Sequence, residues 1–93
     1  MIKSFANDLT EQLFCQGDSK AFPKALAKRA IRKLDMIDSA HVIEDLRVPP
    51  GNRLHKLQGN RANQYSISVN DQWRICFEFE DGNAYEVEIC DYH

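Results

Sequence analysis

The sequence predicts an α+β fold in which two N-terminal helices pack on a mostly antiparallel β-sheet. Apolar residues recur every three or four positions between residues 26 and 37, as they do along one side of a helix. From residue 65 onward the apolar spacing changes to two, which is typical of half-buried strands. A chain of 93 residues can close one modest core, so we expect a single domain over residues 1–93.

The chain starts with a short alternating stretch, Ile2–Phe5, for which we expect an edge strand. Asn7 and Asp8 both carry the short polar side chain that is preferred at the start of a helix. We therefore predict a first helix that begins after one of these two residues, runs through Phe14 and ends near Gly17.

Pro23 suits the first turn of a second helix, where its missing N–H has no partner to lose. The predicted apolar stripe of this helix comprises Leu26, Ala30, Leu34 and Ile37. Its opposite side comprises Lys24, Lys28, Arg32 and Asp35. Residues 20–33 contain six basic residues and no acid, and we interpret this basic run as a solvated helix face. A further helical turn is expected at Val42–Leu46.

A proline-rich connector, Val48-Pro49-Pro50-Gly51-Asn52, follows the helices, because it can continue neither a helix nor a central strand. Three alternating runs come next, separated by the turn sequences Asn70-Asp71 and Asp81-Gly82-Asn83. The predicted inward-facing residues are Tyr65, Ile67 and Val69, then Trp73, Ile75, Phe77 and Phe79, and finally Tyr85, Val87 and Ile89. We expect these residues to form the apolar side of the strands, with the residues between them facing water.

The charges are unevenly distributed along the chain. A net charge of −2 and an isoelectric point of about 5.9 do not by themselves indicate a nucleic-acid binder. The second half nevertheless contains a basic set that comprises Arg53, Lys56, Arg61 and Arg74, with His55 among them. Residues 78–91 contain six acids and no base, so the basic set stands apart from a negative C-terminal hairpin.

Cysteine and histidine spacing predicts no metal site and no cofactor. The three cysteines are Cys15, Cys76 and Cys90, and the three histidines are His41, His55 and His93. Because the cysteines are odd in number and lack C-x-x-C spacing, we expect reduced thiols rather than a disulfide framework or a thiolate metal site. The histidines likewise lack the spacing of a zinc motif.

The sequence gives no sign of a membrane association. No apolar run approaches the roughly 18 residues of a membrane span. Met1–Phe5 lacks the apolar stretch of a signal peptide. We therefore expect a cytoplasmic protein.

Residue types that can cleave RNA without a metal occur in three places. These are the segment Arg53–Arg61, the strand residue Arg74 and the terminal Cys90-Asp91-Tyr92-His93. Such cleavage requires a base for the 2′-hydroxyl proton, an acid for the leaving 5′-oxygen and cations for the phosphorane charge. Neighbouring antiparallel strands lie about 4.8 Å apart, so residues distant in sequence can share one face. A site formed by these three stretches is therefore plausible on chemical grounds.

The same stretches also resemble a known family. The motifs are Pro49-Pro50-Gly51-Asn52-Arg53-Leu54, Leu57-x-Gly59-x-Arg61, Tyr65-Ser66-Ile67, Asn70-Asp71-Gln72-Trp73-Arg74-Ile75-Cys76-Phe77 and Asp91-Tyr92-His93. Together with the start Met1-Ile2-Lys3-Ser4-Phe5, they resemble the HigB (plasmid maintenance system killer) branch of the RelE/ParE toxin superfamily. The resemblance spans nearly the whole chain, and its more specific part is the Asn-Asp-Gln-Trp-Arg stretch with the terminal Asp-Tyr-His.

This resemblance implies a RelE-like fold and a growth-arresting toxin that cleaves translated mRNA on the ribosome. It implies a HigA-like helix-turn-helix antitoxin as the partner. In such systems the toxin–antitoxin complex represses its own operon, so the chain would be linked to operator DNA only through its antitoxin. No cofactor and no membrane partner are implied.

The resemblance also implies roles for individual residues. The catalytic positions of the family fall on His55, Asp91, Tyr92 and His93. Proton transfer is assigned to His55 and His93, with Tyr92 and Asp91 assisting, and which histidine is the acid stays open. The positions that would bind the RNA phosphates are Arg53, Lys56, Arg61 and Arg74. Arg61 and Arg74 are suited to this role because a guanidinium fork matches a phosphate.

One position departs from the family pattern. Where better-known HigB ribonucleases have a lysine shortly after the histidine, this chain has Gln58. An amide can donate hydrogen bonds to a phosphate but supplies no charge, so we expect cleavage either to be weaker or to depend on Arg53 and Lys56. Two alternatives stay open. One is a gyrase inhibitor of the same fold that cuts no RNA, and the other, which Gln58 supports, is a non-toxic protein that binds the antitoxin as a co-repressor.

Overall fold

The structure is a computed structural model that describes residues 1–17 and 21–91, and within those ranges two helices lie against a four-stranded antiparallel sheet. The helices are α1 (Asp8–Gln16) and α2 (Lys24–Ser39). The strands, in their order across the sheet, are β1 (His55–Lys56), β2 (Tyr65–Ser68), β3 (Trp73–Glu80) and β4 (Asn83–Asp91). Short 3-10 helices occupy Ile43–Arg47, Pro50–Asn52 and Gly59–Arg61. The predicted α+β class is confirmed.

Both ends of α1 are set by local hydrogen bonds. Asn7 is the cap rather than Asp8, because its Oδ1 accepts a 2.9 Å hydrogen bond from the Thr10 N–H. At the other end Gly17 has φ of 73°, and its N–H donates to the Leu13 carbonyl at 3.0 Å. A left-handed residue at this position strains any side chain with a Cβ, so glycine ends the helix here.

The apolar stripe of α2 faces the sheet as predicted. The buried stripe consists of Leu26, Ala27, Ala30, Leu34 and Ile37. The predicted outer side is exposed and consists of Lys24, Lys28, Arg32 and Asp35. Pro23 lies just before the helix, and its carbonyl accepts a 2.9 Å hydrogen bond from the Ala27 N–H. No helix within the described residues is long and apolar enough to cross a bilayer.

The N-terminal segment runs parallel to β4 along its outer edge. Ile2 pairs with Ala84 and Phe5 pairs with Val87, each as an isolated bridge. Backbone hydrogen bonds accompany both bridges, including one of 2.7 Å from the Lys3 N–H to the Ala84 carbonyl. The expected edge strand is therefore reduced to two bridges, which still cover the edge of β4.

A bulge in β4 reverses the predicted facing of one aromatic side chain. Glu86 has φ of 52°, and the register with β3 shifts beside it. Tyr85 consequently pairs with Glu78, on the sheet side away from the helices, whereas Val87 is buried in the core. The prediction that Tyr85 faces inward with Val87 was wrong, because an inserted residue reverses the parity of the alternation. Ala84 takes the inward position instead.

The core lies between the two helices and one side of the sheet. Its fully buried sheet residues include Ile67, Ile75, Phe77 and Val87. We call the opposite side of the sheet, away from the helices, the far face. The strands were expected to be half-buried, yet Ser66 and Cys76 on the far face are also 0% exposed. The centre of the sheet is therefore covered on both sides.

Candidate active site

The strand register aligns side chains from all four strands in a row across the far face. His55 pairs with Ser66, Ser66 with Cys76, and Cys76 with Glu88. A second row contains Ser68, Arg74 and Cys90. Paired residues in neighbouring strands project to the same side of a sheet. His55 and Arg74 therefore lie on one face, as the predicted site requires.

Arg74 is held in place at the centre of the far face. Its Nε donates a 2.9 Å hydrogen bond to the Ser66 Oγ, and its Nη2 donates a 2.9 Å bond to the Arg53 carbonyl. The side chain therefore reaches diagonally from β3 to Ser66 on β2. This arrangement fixes a positive charge one row away from His55.

Arg61 enters the same region from the end of the 3-10 helix Gly59–Arg61. Its Nη1 donates to the Gln64 Oε1 at 3.0 Å, and its Nη2 forms an ion pair with the Glu88 Oε1 at 2.8 Å. The hydrogen bond to Glu88 raises the pKa of Arg61 above its usual value. The side chain is 44% exposed, so this guanidinium reaches solvent at the rim of the far face.

His55 and Lys56 project to opposite sides because they are consecutive strand residues. Lys56 pairs with Tyr65, whose ring packs near Phe77 on the core side. Both residues of β1 are exposed. A cavity of about 270 Å³ beside them is lined in part by Glu44 and Tyr65. The structure thus aligns His55 with Arg74 but directs Lys56 away from them.

Arg53 lies at the end of the connector in a left-handed backbone conformation with φ of 47°. It borders a cavity of about 340 Å³ that also contacts Arg29, Ser68 and Asp71. Arg29 belongs to the basic run that we interpreted as a solvated helix face, and no sequence pattern associates it with Arg53. The fold brings the two cations to one cavity, whose lining includes residues of α2, the connector and the end of β2.

Asn52 is a structural determinant of the connector that sequence reasoning missed. It is 0% exposed; its Nδ2 donates to the Leu46 carbonyl at 3.1 Å, and its Oδ1 accepts from the Lys33 Nζ. Burial and the neighbouring Arg29 lower the pKa of Lys33. Lys33 is therefore not a solvated residue of the basic run, because its ammonium anchors the loop that precedes Arg53.

The predicted C-terminal part of the site is described only as far as Asp91. This residue pairs with Trp73, on the helix side, and its Oδ2 accepts a 3.1 Å hydrogen bond from the Gln72 Nε2. Two strands separate β4 from β1, so at about 4.8 Å per interval the strand axes are about 14 Å apart. Tyr92 and His93 lie outside the described residues. Within the described residues, no three His, Cys, Asp or Glu side chains converge as they would around a metal ion.

The fold is shared with chains of solved toxin–antitoxin complexes. A chain of the YoeB–YefM toxin–antitoxin complex from Staphylococcus aureus superposes with a TM-score of 0.62 and 19% identity, covering 100% of this chain and 95% of that one. A second structure of a YoeB–YefM complex from the same organism gives a TM-score of 0.64 at 17% identity. These similarities establish the RelE-like fold.

Sequence comparison identifies the family. A profile described as "RelE-like toxin of type II toxin-antitoxin system HigB" matches residues 3–93. Toxin HigB-1 of Vibrio cholerae is 38% identical over 86 residues, which is 90% of each chain. Endoribonuclease HigB of Proteus vulgaris is 38% identical over 97 aligned positions that cover 100% of both chains. The chain therefore belongs to the HigB-like family of type II toxins, whose partners are antitoxins, and the resemblance inferred from its motifs is confirmed.

Proposed function

We propose that residues 1–93 form a single RelE-like toxin domain that acts in the cytosol as an endoribonuclease on mRNA bound to the ribosome. The observation that carries this proposal is the common facing of His55 and Arg74, with Arg61 at the rim of the same face. A full-length relative that is named an endoribonuclease supports the same reaction.

The proposed reaction uses the 2′-hydroxyl of the RNA as the nucleophile. A base removes the 2′-hydroxyl proton, the 2′-oxygen attacks the adjacent phosphorus, and the P–O5′ bond breaks as an acid protonates the leaving oxygen. His55 and His93 are the proposed proton-transfer pair, with Tyr92 and Asp91 positioning or assisting. Because the Asp91 carboxylate lies on the helix side and is bonded to Gln72, its proposed role is to position the C-terminal residues rather than to contact the phosphate. Imidazoles suit both roles because their ordinary pKa is close to neutral pH. No metal or other cofactor is required for these steps.

The two proposed phosphate-binding arginines, Arg74 and Arg61, differ in the contacts that they make within the protein. Arg74 has hydrogen bonds to Ser66 and to the Arg53 carbonyl, which orient its guanidinium before RNA arrives. Arg61 must exchange its exposed contact with Glu88 for a phosphate oxygen. The exchange has a small free-energy cost, because exposed ion pairs contribute only about 0.2–1 kcal/mol to stability.

Arg53 and Lys56 would supply the remaining positive charge. Arg53 borders the cavity that also contacts Arg29, and Lys56 faces the opposite side of β1. These positions favour contacts with the RNA strand on either side of the scissile phosphate rather than with that phosphate itself. Gln58, where the family has a lysine, adds no charge, so we expect slower cleavage than in lysine-containing relatives.

The proposed partner is a HigA-like helix-turn-helix antitoxin. Family membership makes the chain the toxin of a type II pair, which supports an antitoxin in general. The helix-turn-helix class of that antitoxin, and contact with operator DNA only through it, follow from the resemblance to HigB systems.

The target of the toxin can be identified by inducing it in cells without an antitoxin and mapping new 5′ ends on mRNA. We expect cuts within translated codons, which disappear in His55→Ala. His41→Ala is the matched control, because His41 is also exposed but lies outside the far-face row.

A DNA-damage response without new mRNA ends would instead indicate a gyrase inhibitor. Unimpaired growth after strong induction would favour a co-repressor.

A further inference from the structure

Two cysteines with no role in the proposed cleavage lie side by side on the far face. Cys76 pairs with Glu88, and Cys90 pairs with Arg74, so the two cysteines are diagonal neighbours on strands β3 and β4. Cys76 is buried and Cys90 is partly exposed. The third cysteine, Cys15, is exposed on α1.

The two thiols affect each other's ionisation. Contact with Cys90 lowers the pKa of Cys76, and the same contact raises the pKa of Cys90. The Cys90 Sγ also lies 3.9 Å from the Glu88 carbonyl oxygen. The pair therefore releases one proton more readily than the other.

Two guanidinium groups favour a negative charge on this pair. Arg61 and Arg74 both lower the pKa of Cys76 by their positive charge, whereas Glu88 opposes them. Reactive protein thiols are found in electropositive, partly exposed surroundings, because the thiolate is the nucleophile. The negative charge belongs to the coupled pair, and the partly exposed Cys90 gives a peroxide access to it.

We propose that Cys76 and Cys90 form an oxidation site, at which a hydroperoxide closes a reversible disulfide between β3 and β4. The thiolate sulfur attacks one peroxide oxygen, the O–O bond breaks, and the leaving oxygen takes a proton to become water or an alcohol. The second sulfur then attacks the resulting sulfenic acid, the S–O bond breaks, and the hydroxyl leaves as water with the remaining thiol proton. Two electrons pass from the two sulfurs to the peroxide.

The position of the pair predicts that this disulfide is easily reduced. Diagonal neighbours in an antiparallel sheet have Cα atoms about 7–8 Å apart, whereas disulfides usually join Cα atoms within about 6.8 Å. Closure therefore requires a local shift of the backbone and leaves strain in the disulfide. Strained disulfides are the labile ones, so the oxidised form should revert in a thiol buffer. This site is independent of RNA cleavage, which uses neither sulfur.

The test is mass spectrometry of the reduced full-length protein after brief treatment with hydrogen peroxide. Trypsin releases Cys76 and Cys90 in one peptide, residues 75–93, and Cys15 in another, residues 4–20. We expect the first peptide to lose two hydrogen atoms while Cys15 keeps its thiol. Chymotrypsin should then yield two fragments joined until dithiothreitol is added, because Phe77, Phe79 and Tyr85 lie between the cysteines.

Three controls make the result decisive. Cys15→Ser should leave the disulfide unchanged, whereas Cys90→Ser should abolish it. The same treatment in denaturant should remove the preference for the pair over Cys15. The proposal is overturned if the folded protein gains oxygen at Cys76 and Cys90 separately, if Cys15 is the linked partner, or if both thiols stay free while Cys15 reacts.

Discussion

The Arg61 guanidinium and the Glu88 carboxylate form a 2.8 Å ion pair at the rim of the far face. Arg61 is one of the residues proposed to bind RNA phosphate, so Glu88 competes with the substrate for it. The pair also links the basic segment after β1 to the acidic strand β4, across two intervening strands.

Removing the competing charge should strengthen RNA binding. We expect Glu88→Gln to bind a short single-stranded RNA about 1.5- to 5-fold more tightly, which corresponds to the 0.2–1 kcal/mol of an exposed ion pair. Fluorescence anisotropy at fixed ionic strength measures the change. Glu86→Gln is the control, because it removes the same charge from the exposed bulge of the same strand. Equal effects of the two substitutions would contradict a specific role for Arg61.

The left-handed backbone of Arg53 allows its side chain to be tested separately from its conformation. Arg53→Gly removes the guanidinium at a position with φ of 47°, where glycine is unstrained. It also retains the carbonyl that accepts from Arg74. We expect stability to be unchanged or higher by about 1 kcal/mol, while the slope of log affinity against log salt falls by about 0.7. Arg53→Ala should give the same salt slope as Arg53→Gly but a lower free energy of unfolding, because alanine is strained at this φ. A wild-type salt slope in both variants would exclude a phosphate contact by Arg53.

Asn52 should be among the most sensitive positions of the connector. Asn52→Ala leaves the buried Leu46 carbonyl and the Lys33 ammonium without their partner. We expect a loss of about 2–3 kcal/mol in the free energy of unfolding, because buried unsatisfied groups cost about 1–3 kcal/mol each. Urea denaturation measures it. Asn60→Ala, at an exposed position, should change stability by less than about 0.5 kcal/mol, and similar losses at both sites would refute this account of the connector.

Asp45 should contribute stability that depends on pH. Its carboxylate accepts from the backbone N–H groups of His41 and Val42 at 2.9 and 3.3 Å, and these bonds lower its pKa below the usual 3.8. A depressed folded-state pKa means that the stabilisation is fully present above the unfolded pKa and is lost as the pH falls through the folded pKa. Wild type should therefore exceed Asp45→Asn in stability at neutral pH, and thermal melts should converge below pH 3.8. A difference in melting temperature between wild type and Asp45→Asn that stays constant as the pH falls below 3.8 would contradict this prediction.

Much of the fold could be predicted because it depends on local spacing. The cap at Asn7, the end at Gly17 and the stripe of α2 follow from rules that act within a few residues. Tyr85 was misassigned because a bulge has no reliable signature in the alternation, and one inserted residue reverses every position beyond it. Local rules therefore predicted the elements, and failed where the parity of a strand changed.

The candidate site was predictable in its residue types but not in its arrangement. The facing of His55 depends on its register with Ser66, which only the assembled sheet defines. Lys33 looked like a solvated cation because nothing near it in sequence reveals that Asn52 lies against it. Contacts of this kind join residues from different elements, so periodicity cannot predict them.

The most direct test of the central claim is the single-turnover rate of cleavage of ribosome-bound mRNA by the purified toxin and by His55→Gln. Loss of one general acid or base usually lowers a rate by about 10² to 10⁴. We predict a reduction in that range for His55→Gln, with RNA affinity and unfolding free energy close to those of wild type, and no reduction for His41→Gln. A His55→Gln protein that cleaves at the wild-type rate would contradict the assignment of the far face as the catalytic surface.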